Sequence, residues 1–282
     1  MEVKATTKIY GIFGHPVSHS LSPVMHNSAF AVLGLDCVYL AFDIRPEKIG
    51  HAADAVRTLG IMGINITIPH KESIIPHLDE ISPDAKLTGA VNTVKNEDGK
   101  LSGYNTDVGG FLRAVEEDLG SKPEGANVFL LGAGGAARAV MSAFCMNGAG
   151  SIYIANRTYE KALKLGSEFG KQFKNIKIEP IALDDKELIK ARLSETDILV
   201  NSTSAGMEGS EMMEVPLEPL KESAAVYDLV YSPRETSLVK KARELGHSAS
   251  GGLSMLLYQG ALSFEIWTGR DAPVKVMRKA IE

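Results

Sequence analysis

Hydrophobic residues in the first third of the chain fall into short runs that switch between two periods. Lys8–Gly14 (KIYGIFG) is a compact apolar run of strand length. Pro23–Leu33 carries apolar residues at helical spacing behind a Ser22-Pro23 start, in which serine caps and proline fits the first turn. Cys37–Phe42 predicts a strand, Glu47–Leu59 a helix, and Gly63–Ile68 a strand closed by Pro69. This βαβαβ order predicts a parallel or mixed sheet covered by helices. The polar run Asn96–Lys100 predicts a hairpin turn between strands Ala90–Lys95 and Leu101–Tyr104, and Gly109–Leu119 predicts the next helix.

Gly120–Gly125 (GSKPEG) is a linker of turn residues and a candidate domain junction. Asn127–Leu131 (NVFLL) follows as a continuous apolar strand of the parallel-sheet type. It opens a second series: helix Ala136–Asn147, strand Ser151–Ala155, helix Tyr159–Phe169, and strands Ile198–Asn201 and Ala225–Leu229. Helices Thr236–Leu245, Leu253–Gly269 and Val274–Ile281 complete the reading. The fold class is α/β, with an N-terminal mixed α/β domain and a second series of the doubly wound type. No repeat of fixed period and no low-complexity tract interrupts it.

Composition narrows the function. With 282 residues, the chain has room for roughly two domains at about 150 residues each. Lys+Arg is 30 and Asp+Glu is 35, a net charge of -5, which argues against a nucleic-acid surface but leaves room for a basic pocket around one phosphate. Cys37 and Cys145 lie in separate apolar stretches, with no CxxC and no Cys/His cluster. That pattern fits buried thiols in a reducing cytosol and argues against a metal site or a disulfide. The N-terminus lacks a signal-peptide pattern, and no run of 18 uncharged apolar residues occurs. The expectation is a cytoplasmic protein that acts on small molecules, without nucleic acid or membrane.

The sharpest local motif joins strand, turn and helix. Asn127–Leu131 runs into Gly132-Ala133-Gly134-Gly135-Ala136-Ala137, the context a dinucleotide fingerprint requires. Gly132 permits the tight turn, Gly134 clears space for pyrophosphate, and Ala137 lets helix and strand pack closely. The next strand ends in Asn156-Arg157-Thr158, with Lys161 one turn on and no carboxylate for a ribose 2′-hydroxyl. Arginine pairs with a 2′-phosphate, so NADP is favoured over NAD.

Other polar clusters sit at strand ends. Ser20 and Ser22 are two residues apart in a loop after the first strand. In an extended Gly63–Lys71 segment, Asn65, Thr67 and Lys71 share one face, while Ile64, Ile66 and Ile68 fill the core. Gly89–Thr93 (GAVNT) and Asn105-Thr106-Asp107 are short polar turns; taken alone, Asp107 reads as a helix N-cap. Tyr231 follows the strand at 225–229, and Gln259 is the one amide in an apolar helix behind Gly251-Gly252.

Together and in this order, SxSLSP, NxTxPxK, GAVNT, NTD, GAGGAA, NRT and GGLSMLLYQ resemble the shikimate dehydrogenase family. Its members are NADP-dependent oxidoreductases of chorismate and aromatic amino-acid biosynthesis. The resemblance spans Gly14 to Gln259. It implies a substrate-binding domain over residues 1–106, completed by 251–282, and an NADP-binding Rossmann domain over 107–250. It implies that Ser20 and Ser22 bind the substrate carboxylate. Asn65, Thr67, Asn92, Asp107 and Gln259 would bind the ring hydroxyls, and Tyr231 would be a further substrate contact. Lys71 and Asp107 become the catalytic pair, with Lys71 as general acid/base. Gly132, Ala133, Gly134, Gly135, Ala136, Asn156, Arg157, Thr158 and Lys161 would hold NADP, with Val230 and Gly252 on the nicotinamide side.

Lys161 departs from the arginine often found at its position in the family. Ser204–Glu214 carries no interpretable motif and reads as a variable, mobile loop. Among rival readings, a quinate/shikimate dehydrogenase using both NAD and NADP is disfavoured by the Asn156-Arg157-Thr158 run. A non-catalytic NADP-binding homologue would not need both Lys71 and Asp107, and one half of a fused bifunctional enzyme is disfavoured by ends that read as complete. A monomer or a homodimer is expected.

Overall fold

The computed structural model describes residues 3–207 and 215–282; of the Ser204–Glu214 stretch, residues 208–214 lie outside the described residues. The chain forms two compact units, Met1–Gly110 with Leu257–Glu282, and Phe111–Leu256. Gly120–Gly125 lies inside the second unit.

The first unit runs through β1 (Lys8–Gly14), α1 (Ser22–Val32), β2 (Cys37–Asp43), α2 (Ile49–Thr58), β3 (Gly63–Ile66), β4 (Glu80–Ile81), α3 (Pro83–Thr88), β5 (Thr93–Glu97), β6 (Lys100–Tyr104) and the start of α4 (Asp107–Leu119). Its sheet has the order β2-β1-β3-β5-β6-β4. β1 is parallel to both neighbours, and β5 is antiparallel to both of its own. Phe13, Ile64, Ile66, Val94 and Leu101 from the sheet pack with Ala53 and Val56 of α2 as its core. In the hairpin, Asp98 and Gly99 take left-handed φ of 53° and 89°. Two such residues suffice for a tight turn, so Asn96, Glu97 and Lys100 belong to the strands rather than to the turn.

Two local expectations fail here. Ser22 does not cap α1. It is the first helical residue, and Leu21 occupies the cap without a side-chain bond. The hydroxyl that meets free backbone is that of Ser20, whose Oγ accepts the Ser22 N–H at 3.3 Å. The Gly63–Ile68 strand also ends two residues early. Ile64 and Ile66 are buried, but Ile68 is 74% exposed. After Ile66 the chain turns: the Thr67 N–H donates to the Phe13 carbonyl, and the His70 N–H folds back onto the Thr67 carbonyl. Pro69 has no N–H with which to extend the ladder.

One core residue gives the first unit an acid limit. His26 on α1 is fully buried, with neither ring nitrogen hydrogen-bonded, and its ring stacks on Tyr39 at 4.5 Å. Burial pulls its pKa from 6.5 down to about 3. The fold holds the imidazole neutral, whereas the unfolded chain takes up a proton. Its contribution is therefore complete above pH 6.5 and is lost as pH falls toward 3. Across that window this group lowers the unfolding free energy by about 1.4 kcal/mol per pH unit. Urea unfolding at several pH values should show a shallower acid limb for His26→Phe. An unchanged limb would assign the acid sensitivity elsewhere.

The second unit contains β7 (Asn127–Leu131), α5 (Gly135–Met146), β8 (Ser151–Ala155), α6 (Tyr159–Gln172), β9 (Lys177–Ile181), α7 (Lys186–Leu193), β10 (Ile198–Asn201), β11 (Ala225–Asp228), α8 (Ser237–Glu244) and β12 (Ser248–Gly251). All pairs are parallel, in the order β12-β11-β10-β7-β8-β9. The chain winds outward in both directions from β7 and β10. That is the doubly wound arrangement, whose ligand crevice opens at the carboxyl ends of the two central strands. Phe129, Leu131, Leu199 and Val226 pack against Leu193 and Leu238 as its core. The chain then returns to the first unit through α9 (Leu253–Thr268) and α10 (Val274–Ile281).

Candidate active site

In the first unit, the end of β3, the turn after it, the start of α4 and the middle of α9 bring polar side chains together. Lys71 Nζ lies 2.6 Å from Asp107 Oδ2, with side-chain exposures of 27% and 11%. The other carboxylate oxygen, Oδ1, accepts the Asn92 amide at 3.0 Å. The lysine is held from its backbone as well, because its carbonyl accepts the Val91 N–H at 2.8 Å.

Asp107 is the first residue of α4, but its carboxylate does not cap the helix. Asn105 does that work: its Oδ1 accepts the N–H groups of Asp107 at 3.1 Å and Val108 at 3.3 Å. The N-cap reading of Asp107 therefore gives way. With the helix start satisfied by its neighbour, the aspartate is left for Lys71 and Asn92.

Behind this pair lies a buried hydrogen-bond network. Asn92 Oδ1 accepts the Thr106 N–H at 2.7 Å, which turns its amide toward Thr106 Oγ1 at 2.8 Å, Asp107, and Gln259 Oε1 at 3.3 Å. Asn65 faces the same interior rather than solvent. Its Oδ1 accepts the Tyr39 hydroxyl at 2.7 Å, and its amide points at the Asn92 carbonyl and the hydroxyls of Thr93 and Ser263. Ser263 donates to the Gln259 carbonyl at 2.9 Å and meets Thr93 at 2.7 Å and Thr106 at 3.2 Å. Each member satisfies another, which fixes the amide orientations.

Of the sequence-predicted substrate residues, Ser20, Ser22, Asn65, Thr67, Lys71, Asn92, Asp107 and Gln259 all lie in the first unit. Asn65, Lys71, Asn92, Asp107 and Gln259 belong to one connected set. Thr67 is in the turn beyond β3, and Ser22 is buried at the start of α1. Tyr231 lies in the second unit, where burial raises its pKa. Sequence reading missed Tyr39 and Ser263. Ser263 was findable, since it stands one helical turn from Gln259 on the same face. Tyr39 sits in an ordinary apolar strand that gives no signal.

In the second unit, the glycine turn after β7 forms an open cradle. Gly132 has φ +108°, and a Cβ there would lie 2.6 Å from Ser202 Oγ. At Gly134 and Gly135 a Cβ would meet nothing within 4 Å. Gly134 is the N-cap of α5 and offers no side-chain cap, so the first backbone N–H groups are free for an anion. Ala137 is fully buried, as close packing of helix and strand requires. At the end of β8, Asn156 Nδ2 donates to the Thr158 carbonyl at 2.8 Å. Arg157, Thr158 and Lys161 are exposed, and neither cation has an ion pair among the described residues. Uncapped amides, room above the glycines and two available cations fit a phosphorylated dinucleotide. Val230 and Gly252 are buried and joined backbone to backbone, the Gly252 N–H donating to the Val230 carbonyl at 3.1 Å. No group of side chains that could hold a metal ion occurs among the described residues, and no helix among them is long and apolar enough to cross a membrane.

Comparison with known proteins finds mostly shikimate dehydrogenases, with a quinate dehydrogenase and a 5-ketofructose reductase also similar in structure at 31% identity. Family models match three segments: the shikimate dehydrogenase substrate binding domain over residues 12–94, shikimate/quinate 5-dehydrogenase over 114–237, and the shikimate 5'-dehydrogenase C-terminal domain over 252–282. The shikimate dehydrogenase (NADP(+)) of Methanopyrus kandleri is 48% identical, over 100% of this chain and 97% of its own. The structure of shikimate 5-dehydrogenase from Thermus thermophilus in complex with NADP(H) and shikimate is similar at TM-score 0.86 and 38% identity, covering 97% of this chain and 98% of its own. The Listeria monocytogenes shikimate 5-dehydrogenase, in complex with shikimate and NAD, reaches TM-score 0.93 at 37% identity, covering 100% and 99%.

Proposed function

The chain belongs to the shikimate dehydrogenase family, and from that membership we propose how its residues divide the reaction. It is an NADP-dependent oxidoreductase that reversibly reduces 3-dehydroshikimate to shikimate in chorismate and aromatic amino-acid biosynthesis. The observation that carries the assignment of roles is the Lys71–Asp107 pair at 2.6 Å, oriented by Asn92.

Bound NADP would supply the hydride chemistry in both directions. The protein moves the accompanying proton. In oxidation, neutral Lys71 takes the proton of the substrate hydroxyl at Nζ; in reduction, the Lys71 ammonium gives one to the carbonyl oxygen. Asp107 holds Nζ in place through Oδ2 and is itself held through Oδ1. Asn65, Thr67, Asn92, Asp107 and Gln259 recognise the ring hydroxyls, and Ser20 and Ser22 receive the carboxylate at the start of α1. Tyr231 adds a substrate contact from the second unit's sequence. The cradle Gly132–Ala136 takes the pyrophosphate, while Asn156, Arg157, Thr158 and Lys161 take the adenosine end. Val230 and Gly252 face the nicotinamide. The protein works in the cytoplasm on small molecules alone, as a monomer or homodimer. Two buried free thiols, Cys37 and Cys145, support a reducing compartment.

The test follows absorbance at 340 nm while crossing shikimate and quinate with NADP and NAD. Fast reduction of NADP with shikimate alone is the expected result. Comparable rates with quinate or NAD would assign a broader specificity. Arg157→Ala should raise KM for NADP about 10–100-fold, the loss of a charge-assisted bond to the 2′-phosphate, and should leave the NAD rate unchanged. An equal effect on both cofactors would remove Arg157 from 2′-phosphate recognition.

A further inference from the structure

One fully buried carboxylate in the second unit has no part in the chemistry above. Asp228, the last residue of β11, has none of its surface exposed. It receives three hydrogen bonds from three separate segments. Asn201 Nδ2, at the end of β10, donates to Oδ1 at 2.8 Å, and the Val230 N–H donates to the same oxygen at 3.1 Å. The Thr236 hydroxyl, at the cap of α8, donates to Oδ2 at 2.6 Å.

These segments stand at the carboxyl end of β10, one of the two central strands where ligands bind in a doubly wound sheet, and of its neighbour β11. Through Asn201 the carboxylate also reaches the next turn. Asn201 Nδ2 donates to the Ala205 carbonyl at 3.1 Å, and its Oδ1 accepts the Thr203 N–H at 3.1 Å and hydroxyl at 2.7 Å. Val230 is thus fixed from both sides, its N–H on Asp228 and its carbonyl on the Gly252 N–H. Only glycine fits at this approach, because a Cβ at position 252 would collide with the Leu229 carbonyl oxygen.

We propose that Asp228 is a positioning residue for the nicotinamide half of the cofactor, acting through Val230, Gly252 and the Thr203–Ala205 turn. The inference rests on the assignment of NADP as cofactor and of Val230 and Gly252 to its nicotinamide side. It also makes the adenosine end independent of Asp228, because Arg157, Thr158 and Lys161 stand on the other side of β7 in strand order.

The test compares two ligands in equilibrium titrations without substrate: NADPH, by its fluorescence, and 2′,5′-ADP, which carries the adenosine end alone, by calorimetry. Asp228→Asn keeps the shape but removes the charge and turns one oxygen into an amide donor. That donor is set either against the Asn201 and Val230 donors at the Oδ1 place or against the Thr236 hydroxyl at the Oδ2 place. NADPH should bind about tenfold more weakly, the effect of losing one hydrogen bond to a charged group, while 2′,5′-ADP binds within about twofold of the parent. KM for shikimate at saturating NADP should stay within the same range. Unchanged NADPH affinity would overturn the proposal, as would equal weakening of both ligands, which general damage to the unit produces. If Asp228→Asn does not fold, Thr236→Val and Thr236→Ser decide the matter by the same criteria. Valine removes the donor and should weaken NADPH alone; serine keeps it and should restore parental affinity. A parent protein that binds neither ligand would instead sink the cofactor assignment.

Discussion

Replacing Lys71 with alanine should lower kcat for shikimate oxidation by about 10²–10⁴-fold, the range for a lost general acid/base, while NADPH binding should stay within about twofold. The size of the effect follows from the absence of a substitute. Of the side chains connected to Lys71 through Asp107, Asn92 and Gln259 are amides that do not exchange protons at neutral pH, and Asp107 remains held by Asn92 through Oδ1 at its own place rather than at that of Nζ. The fold should tolerate the change, since the chain around Lys71 is held by its backbone: its carbonyl accepts from Val91 and the neighbouring His70 ring bonds the Ile44 carbonyl at 2.6 Å. Steady-state assay at 340 nm with a parallel NADPH titration checks both halves. A loss below tenfold with normal cofactor binding would remove Lys71 from the proton-transfer role.

The elements that sequence reading found are those whose burial writes a period into the chain. β7, β8 and β10 lie inside the second sheet, and their apolar runs match the observed strands residue for residue. The two strands it missed there, β9 and β12, are the sheet's edges. β9 contains Lys177, Glu179 and Pro180, and β12 reads Ser-Ala-Ser-Gly. An edge strand needs no apolar run on both faces and tolerates a proline, so polarity hid both. The site divides in the same way. Strand-end motifs marked Asn65, Lys71, Asn92 and Asp107. Alternation then sent Ile68 to the core, because it assumed an extended chain as far as Pro69. A strand that stops at Ile66 leaves Ile68 exposed. The distinction between a capping aspartate and a functional one was also out of reach, since it depends on Asn105 taking the cap across two residues.

That freed aspartate carries the other large expected effect. Asp107→Asn keeps the side-chain shape and removes the charge, and kcat should fall by at least about 10²-fold. Two contacts oppose each other in the variant. An amide oxygen aimed at Lys71 leaves its NH₂ facing the Asn92 amide, donor against donor; the reverse orientation sets NH₂ against the Lys71 ammonium. Either way one buried donor loses its acceptor, which costs about 1–3 kcal/mol and displaces Nζ or Asn92 from its place. A structural loss alone would predict additivity with Lys71→Ala. If the two side chains act as one proton-transfer unit, the double variant should be no slower than the slower single variant by more than a few-fold. Comparing kcat across the four proteins decides between these outcomes. Multiplication of the two single effects would mean that Asp107 binds substrate independently of Lys71 and does not position it.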